Sequence, residues 1–197
     1  NQLVDMSSST ILPNEYNSSE NILALEEVMN AQYVRAAKVA TSLWKLYGTG
    51  DLRKSKYFKQ VTASNIQVIK GGSNQYRVGE IYLNAAEAAL MTGEAAIDVA
   101  RENLLTLMEK RYTANAYAAK EAAVNAMGRD ELLQEIYNER TRELAFEGHR
   151  WFDLRRTTRP RLEKTFGGTS YVLEENDSRY TIRIPSEAIE ANPGLAN

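Results

Sequence analysis

The sequence predicts a mainly α fold made of antiparallel helix pairs with small β-hairpin additions. Two stretches, residues 77–91 and the one that begins at Asp130, repeat apolar residues at spacings of three and four, which marks one face of a helix. Several shorter stretches have the composition of strands. A chain of 197 residues, 43% of them hydrophobic, is long enough to enclose a core. We therefore expect residues 1–197 to form a single domain.

Composition argues against several functional classes. The net charge of −2 favours neither nucleic acid nor an anionic membrane as a partner. The chain has no cysteine and one histidine, His149, which disfavours disulfides, histidine-based metal sites and Ser-His-Asp triads. It has no phosphate-binding loop, dinucleotide fingerprint or EF-hand loop, and no apolar run approaches the ~18 residues of a membrane span. We predict no cofactor, no metal and no nucleic-acid partner.

Residues 1–72 are predicted to be rich in loops. Residues 1–19 are polar, with many serines and asparagines, and residues 20–30 fit either a short strand or a helix. Beyond them the pattern predicts one helix, ended by Gly48, and two strands. These three elements are expected over residues 35–47, 57–62 and 66–69.

Residues 73–197 are predicted to form a helical core with a C-terminal hairpin. The clearest helix, residues 77–91, is followed by a tight turn and a second amphipathic helix over residues 95–112, so the two should pack antiparallel. Such a pair has the shape of a tetratricopeptide-type unit. The alanine-rich residues 113–128 fit a short helix within a long connection. The strands of the hairpin are expected over residues 169–173 and 180–184.

The stretch from Asp130 to Arg156 carries charged residues beside an apolar helix face. Asp130 is expected to be the N-cap of this helix, Gly148 is expected to break it, and a second short helical turn should follow. Unpaired charges beside a core are costly, so charges of alternating sign at these spacings should pair. We predict a structural ion-pair network; a catalytic carboxylate pair and a solvated face are the alternatives. The network residues are Arg140, Glu143, Glu147, Arg150 and Asp153.

Two aromatic side chains are candidates for contact with a sugar, which binds by stacking on an exposed ring while polar groups fix its hydroxyls. Tyr16 lies in a polar loop, and Trp44 lies off the main apolar face of its helix. Core packing or an incidental surface position is the alternative for both. Tyr112 and Tyr117 fit either situation, whereas Trp151 is expected in the core.

Several groups of residues together resemble a known family. Residues 139–155 carry the pattern ER-x-x-EL-x-FEG-x-R-x-x-DL-R, and residues 77–88 carry R-x-x-E-x-YL-x-x-AEA. Residues 51–58 carry D-x-R followed by an aromatic pair, and the closing RIPSEAIEANPGLAN is similar to the family's end. In this order the patterns resemble the C-terminal portion of the SusD/RagB family, cell-surface nutrient-binding lipoproteins of Bacteroidetes.

The resemblance implies a function as well as a fold. The chain would be the C-terminal part of a protein, lipid-anchored at the cell surface on the outer membrane, that binds a glycan or other nutrient and is not an enzyme. It would deliver that nutrient to a SusC-like TonB-dependent transporter. Membrane contact would come only through a lipid anchor outside these residues, since the sequence begins at Asn1 with no methionine or signal peptide. A tetratricopeptide-like interaction scaffold and a glycoside hydrolase are the alternatives.

Overall fold

The structure, a computed structural model, describes residues 2–25, 38–63, 65–70 and 74–195. The chain divides into two compact units, Asn1–Gly148 (unit one) and His149–Asn197 (unit two). Most elements are α-helices, and the strands form small two-stranded antiparallel sheets. The predicted mainly α fold with small β additions is confirmed. The single domain predicted for residues 1–197 stays a prediction.

The first part of unit one consists of short elements. They are the strand β1 (Asn21–Leu25), the helices α1 (Thr41–Leu46) and α2 (Leu52–Tyr57), and the strands β2 (Phe58–Thr62), β3 (Asn65–Val68) and β4 (Asn74–Arg77). β1 pairs with β4 and β2 pairs with β3. The strands predicted over residues 57–62 and 66–69 are therefore confirmed. Residues 20–30 fitted either a strand or a helix, and residues 21–25 of this stretch form β1. Residues 26–30 lie outside the described part of the chain.

The helix predicted over residues 35–47 begins later than expected. Residues 35–37 lie outside the described part of the chain, and α1 starts only at Thr41. Before it, Lys38 forms an antiparallel bridge with Gln67 in β3. Because this bridge keeps the backbone ahead of α1 extended, apolar periodicity alone placed the helix start too early.

Four longer helices make up the rest of unit one. They are α3 (Val78–Thr92), α4 (Ile97–Glu109), α5 (Ala114–Ala126) and α6 (Arg129–Glu143). α3 packs against both α4 and α6, and α4 also packs against α5. The short connection between α3 and α4 makes them an antiparallel pair. Within the described residues, no helix is long and apolar enough to cross a membrane.

All four of these helices contribute side chains to one apolar core. Its fully buried members include Leu83, Leu90, Leu104, Leu107, Met108, Val124, Leu132 and Ile136. Burying one Leu or Ile side chain of this kind stabilises the fold by roughly 1.5–3 kcal/mol. The alanine-rich segment forms a helix of 13 residues, α5, rather than the short helix expected. Alanine has the highest helix propensity, and Val124 anchors α5 in the core.

The ends of α6 differ from the prediction. The N-cap is Gly128 rather than Asp130, because the carboxylate of Glu131 reaches back and accepts a hydrogen bond from the Gly128 N–H at 3.1 Å. The helix ends at Glu143, before the predicted break at Gly148. Phe146 then adopts a positive φ of 63°, which ordinary helical backbone does not allow.

Unit two begins with α7 (Arg150–Arg156) and continues with the strands β5 (Leu162–Phe166) and β6 (Thr169–Leu173) and the helix α8 (Ser186–Ala191). β5 pairs with β6 through a two-residue turn. The turn residues Gly167 and Gly168 have φ of 56° and 82°. Positive φ at both positions is the condition for the tight hairpin turn that fits the twist of paired strands.

This hairpin shows that the strand predicted over residues 180–184 is wrong. β6 has its partner in β5, and Tyr180 instead closes a 3₁₀ turn, Ser178–Tyr180. The buried Tyr180 ring stacks on Trp151 with centroids 5.2 Å apart, and its hydroxyl donates to the carbonyl of Pro160. Trp151, expected in the core, is 37% exposed. Tyr180 is therefore used in packing and not in a sheet.

Candidate ligand-binding site

The interior of unit one holds charged side chains as well as the apolar core. The carboxylate of Glu143, at the end of α6, lies among three arginines that are fully buried. Its Oε1 accepts hydrogen bonds from Arg77 at 2.5 Å and from Arg111 at 2.9 Å. Its Oε2 accepts from Arg53 at 2.8 Å. Three positive charges around one buried carboxylate require further anions nearby.

Two glutamates supply part of that negative charge. Glu20, which precedes β1, accepts from Arg111 at 2.5 Å and from the backbone N–H of Val4 at 2.8 Å. Glu147 accepts from Arg77 at 3.0 Å and from the ammonium of Lys70 at 2.7 Å. These ion pairs therefore connect the N-terminal segment and β4 to the end of α6.

Arg53, in α2, connects a further group of charges to the same interior. Its guanidinium donates to both carboxylate oxygens of Asp51 at 2.9 Å, and its NH1 group also donates to Glu139 at 2.5 Å. Glu139 in turn accepts from Arg142 at 2.8 Å. The hydroxyl of Tyr112 accepts from Arg53 at 3.1 Å. These contacts fasten α2 to α6 across a long stretch of sequence.

The electrostatics keep these carboxylates ionised. Burial alone would raise the pKa of Glu139, but the guanidiniums of Arg53 and Arg142 outweigh it and lower this pKa to about 2. Burial acts in the same direction on Glu143, and its three arginine partners hold its pKa well below the usual range. A carboxylate locked in its ionised, paired form is not a general acid at neutral pH. The arrangement therefore holds these carboxylates in ion pairs.

The structure places the five residues of the predicted network in different surroundings. Glu143 and Glu147 come together on Arg77. Arg140 is buried, and its guanidinium donates to the Asn84 side chain at 2.6 Å. Two members belong to unit two, where Asp153 accepts from Arg156 at 2.8 Å within α7 and Arg150 begins that helix.

Sequence reasoning missed the main cationic partners of Glu143. They come from α2, from β4 and from the turn after α4, whereas the prediction paired Glu143 with charges of its own stretch. A signal was present, because Arg53 and Arg77 both belong to the patterns that carry the family resemblance. Periodicity could not use this signal, since it relates only residues within one element.

The surface of unit one carries an open concavity beside α1 and α2. Its volume is about 530 Å³, which lies within the range of ~300–1,000 Å³ common for small-molecule sites. One wall is aromatic and apolar, formed by Trp44, Phe58 and Ile69. Polar side chains complete the lining, namely Thr49, Asp51, Lys54, Ser55, Lys59 and Gln60. We call this feature the Trp44 concavity.

Trp44 is held in place at the edge of this concavity. Its indole is half-buried and packs edge-on against Phe58, with ring centroids 6.1 Å apart. The ammonium of Lys54 lies 4.6 Å from the centroid of the indole and donates to the carbonyl of Tyr47 at 2.9 Å. A ring supported in this way is a rigid platform that loses little conformational freedom when a ligand packs on it.

The other aromatic candidates lie elsewhere. Tyr16 is 55% exposed in the loop before β1, where its backbone carbonyl accepts from the Asn21 side chain at 2.8 Å. It does not line the Trp44 concavity. Tyr112 is buried with its ring 5.2 Å from the Arg53 guanidinium carbon, so it belongs to the interior. Tyr117 is half-buried and packs against the apolar core.

A second concavity, of about 750 Å³, lies along α5 and α6. It is lined by Ala123, Ala126, Met127, Asp130, Glu131, Gln134, Glu135 and Asn138. It has no aromatic side chain and so offers no stacking surface. In the described part of the chain, no group of three or more His, Cys, Asp or Glu side chains is arranged to hold a metal ion. The Trp44 concavity is therefore the better candidate site.

The fold and this surface define a class of mainly helical proteins that carry small β-ribbons and an aromatic-walled surface concavity. The SusD family model matches residues 9–197, so the chain belongs to the SusD family. A solved structure described as a SusD-like carbohydrate binding protein from Bacteroides vulgatus is similar in fold, with a TM-score of 0.51 and 18% sequence identity.

That similarity covers 81% of this chain and 41% of the Bacteroides vulgatus chain. The present chain therefore spans less than half of the length of the solved structure it matches. None of the curated protein sequences compared with this chain matches it.

Proposed function

We propose that this chain is part of a SusD-like protein that binds a glycan, and that the Trp44 concavity is its contact surface. The observation that carries the proposal is the half-buried indole of Trp44 in an open concavity of about 530 Å³ with hydroxyl, amide and ammonium groups around it. A sugar ring has apolar faces and a rim of hydroxyls, so it needs an aromatic wall and nearby polar groups together.

Two further facts support glycan as the ligand class. The chain belongs to the SusD family, and the similar solved structure is described as a carbohydrate binding protein. Tyr16, 55% exposed and near the start of β1, is proposed as a second stacking surface outside the concavity. Both candidate contacts lie within residues 1–72, which leaves the helical core as the scaffold that carries them.

The proposal includes binding without catalysis. Glycoside hydrolysis needs two carboxyl groups that flank the sugar from opposite sides. The motif carboxylates Glu139 and Glu143 are fully buried in ion pairs, and Glu147 is bound by Arg77 and Lys70. None of the three lines the Trp44 concavity. Release of reducing sugar from plant or host polysaccharides by the full-length protein would overturn this part of the proposal.

We also propose the cellular setting that the family implies. The full-length protein would be lipid-anchored at the outer-membrane surface and would pass its glycan to a SusC-like TonB-dependent transporter. Family membership over residues 9–197 supports this setting. Affinity purification of the tagged full-length protein from detergent-solubilised outer membranes should recover such a transporter. Recovery of the protein in the soluble fraction, without a transporter, would contradict it.

The binding site is tested by removing aromatic rings one at a time from the full-length protein. Trp44→Ala should weaken binding of the glycan that the wild type binds. The binding free energy should fall by about 0.5–1.5 kcal/mol or more, the value of one aromatic contact. Tyr16→Ala should weaken binding less or act on a separate glycan. Tyr171→Ala, at a position 59% exposed in unit two, is the matched control. If Trp44→Ala folds normally and binds like the wild type, the Trp44 concavity is not the site.

A further inference from the structure

The charges around the Trp44 concavity are unequal. Two lysines line it, Lys54 from α2 and Lys59 from β2, against one carboxylate, Asp51. Asp51 is buried, and both of its oxygens are bound by the guanidinium of Arg53 at 2.9 Å. It therefore presents little negative charge to a ligand. The concavity is positive on a chain whose net charge is −2.

The two lysines are arranged differently. The ammonium of Lys54 is fixed by the Tyr47 carbonyl at 2.9 Å and by the indole of Trp44 beneath it. An ammonium has three N–H donors, so the single hydrogen bond that Lys54 makes within the described residues leaves donors for a ligand. Lys59 and its neighbour Gln60 are exposed, and their side chains have no hydrogen-bond or ion-pair partner in the part of the chain that the structure describes.

A cation held beside an aromatic wall distinguishes between sugars. A neutral sugar offers only hydroxyls, whose hydrogen bonds to an ammonium replace similar bonds to water. A carboxylate or sulfate on the sugar adds the attraction between opposite charges to the hydrogen bond from the ammonium. Because Lys54 is already held in position, an anionic group that reaches it does not have to order a flexible side chain.

We infer that the Trp44 concavity selects glycans that carry an anionic group, a carboxylate or a sulfate, on the sugar that packs against Trp44. This inference rests on the proposed function and names the substrate class of the same site. Trp44 supplies the apolar wall, Lys54 is the fixed cation over its indole, and Lys59 is an exposed cation of the lining.

The test uses pairs of polysaccharides that differ only in charge, titrated into the full-length protein. Polygalacturonate is compared with its fully methyl-esterified form, and a sulfated galactan is compared with the same galactan after desulfation. The anionic member of at least one pair should bind about tenfold more tightly, which corresponds to about 1.4 kcal/mol from its ion pairs with the two lysines. The pair that shows the preference identifies whether carboxylate or sulfate is the recognised group.

Charge-removing variants locate the effect. Lys54→Gln and Lys59→Gln should each reduce the preference for the anionic member, and the double variant should abolish it, so that the two members of a pair bind alike. Lys45→Gln is the matched control, because Lys45 is exposed on the same helix as Trp44 but does not line the concavity. A rising salt concentration should lower the affinity for the anionic ligand more than the affinity for the neutral one.

The outcomes separate the inference from the proposed function. If Trp44→Ala weakens both members of a pair and the lysine variants change nothing, the site binds glycan without regard to charge and the inference fails alone. If the anionic member binds more tightly but Lys45→Gln weakens it as much as Lys54→Gln does, the preference is a general charge effect and the inference fails. If Trp44→Ala changes no binding at all, the proposed function fails with it.

Discussion

The guanidinium of Arg77 and the carboxylate of Glu143 meet at 2.5 Å, fully buried, although 66 positions separate them in the sequence. Arg77 is the last residue of β4 and the N-cap of α3. It also donates to the backbone carbonyl of Glu143 at 2.8 Å, which satisfies an acceptor at the C-terminal end of α6. One side chain thus joins the end of a strand, the start of one helix and the end of another. A cation at a helix C-terminus is also favoured by the helix dipole.

Removing the charge of Glu143 should destabilise unit one strongly. Glu143→Gln leaves Arg53, Arg77 and Arg111 around a neutral side chain, and breaking a buried ion pair in this way costs about 3–5 kcal/mol. The measurement is the free energy of unfolding in urea. Glu109→Gln is the control, because its carboxylate is 52% exposed and pairs with Lys110 at 3.2 Å. The control should lose less than about 1 kcal/mol. If the two variants lose the same free energy of unfolding, the buried charges are not coupled as the geometry indicates.

Replacing Gly79 with alanine is expected to destabilise the fold, although Gly79 lies in a helix. A Cβ there would sit 2.7 Å from Arg77 NH1 and 2.9 Å from Glu143 Oε1. Gly→Ala inside a helix normally stabilises by about 1 kcal/mol, but Gly79→Ala should destabilise by about 1–3 kcal/mol because it forces these charged groups apart. At Gly48 an added Cβ would lie more than 4 Å from every described residue apart from its own chain neighbours, so Gly48→Ala should change stability by less than about 0.5 kcal/mol. Thermal unfolding of both variants checks this, and a stabilised Gly79→Ala protein would contradict it.

Acid should remove stability that the buried carboxylates contribute. The pKa of Glu139 is about 2 in the folded chain against its ordinary 4.5, and that of Glu143 is lowered too. A depressed carboxyl pKa stabilises the fold fully above the unfolded pKa, and this stabilisation is lost as pH falls towards the folded pKa. For Glu139 alone the loss amounts to about 3 kcal/mol between pH 4.5 and pH 2. Urea unfolding over this pH range is the measurement. A Glu139→Gln variant should show a shallower pH dependence, and an equally steep one would contradict the assignment.

The hydroxyl of Tyr57 should be dispensable. Tyr57 is fully buried, and its oxygen has no hydrogen-bond partner among the described residues, while the ammonium of Lys70 lies 4.4 Å from its ring centroid. Tyr57→Phe keeps the ring and its cation contact and removes an unsatisfied polar group. It should be neutral or stabilising by up to about 1 kcal/mol.

Tyr47→Phe is the matched comparison for Tyr57→Phe. The Tyr47 hydroxyl donates to the carbonyl of Arg142 at 2.7 Å in the interior. Its removal should cost about 0.5–1.5 kcal/mol, the net contribution of one hydrogen bond, as measured by chemical unfolding of both variants. If Tyr57→Phe proves the more damaging of the two, its hydroxyl has a role that the described contacts do not include.

The helices were predictable because their signals are local. The spacing of Ile81, Ala85 and Leu90 predicts a helix over residues 77–91 without reference to any other part of the chain. The same holds for the strand composition of β2 and β3. The predicted apolar face of the helix is correct only in part, because Leu90 is buried whereas Ile81 is 36% exposed. Where a local signal competes with a contact from another element, prediction fails: the bridge between Lys38 and Gln67 delays the start of α1.

The candidate site was predictable only in part. The position of Trp44 off the apolar face of its helix indicates an accessible indole, and the structure places that indole, half-buried, at a concavity. The sequence contains no signal that Lys54 would lie 4.6 Å from that ring or that Lys59 would join it from β2. These neighbours come together because α2 runs directly into β2 beside α1, which is a property of the packed chain.

The sequence by itself determined the helices α3, α4 and α6, the family patterns that the chain carries, and that buried charges along α6 need partners. Only the tertiary structure decided which partners these are. Any arginine can neutralise Glu143, because Coulomb attraction does not distinguish one guanidinium from another. The path of the chain brings Arg53, Arg77 and Arg111 to the same carboxylate. It likewise pairs β6 with β5 across the Gly167–Gly168 turn, so residues 180–184 are not part of that sheet. Helical periodicity repeats within a few residues and can be read locally, whereas pairing depends on how distant elements pack.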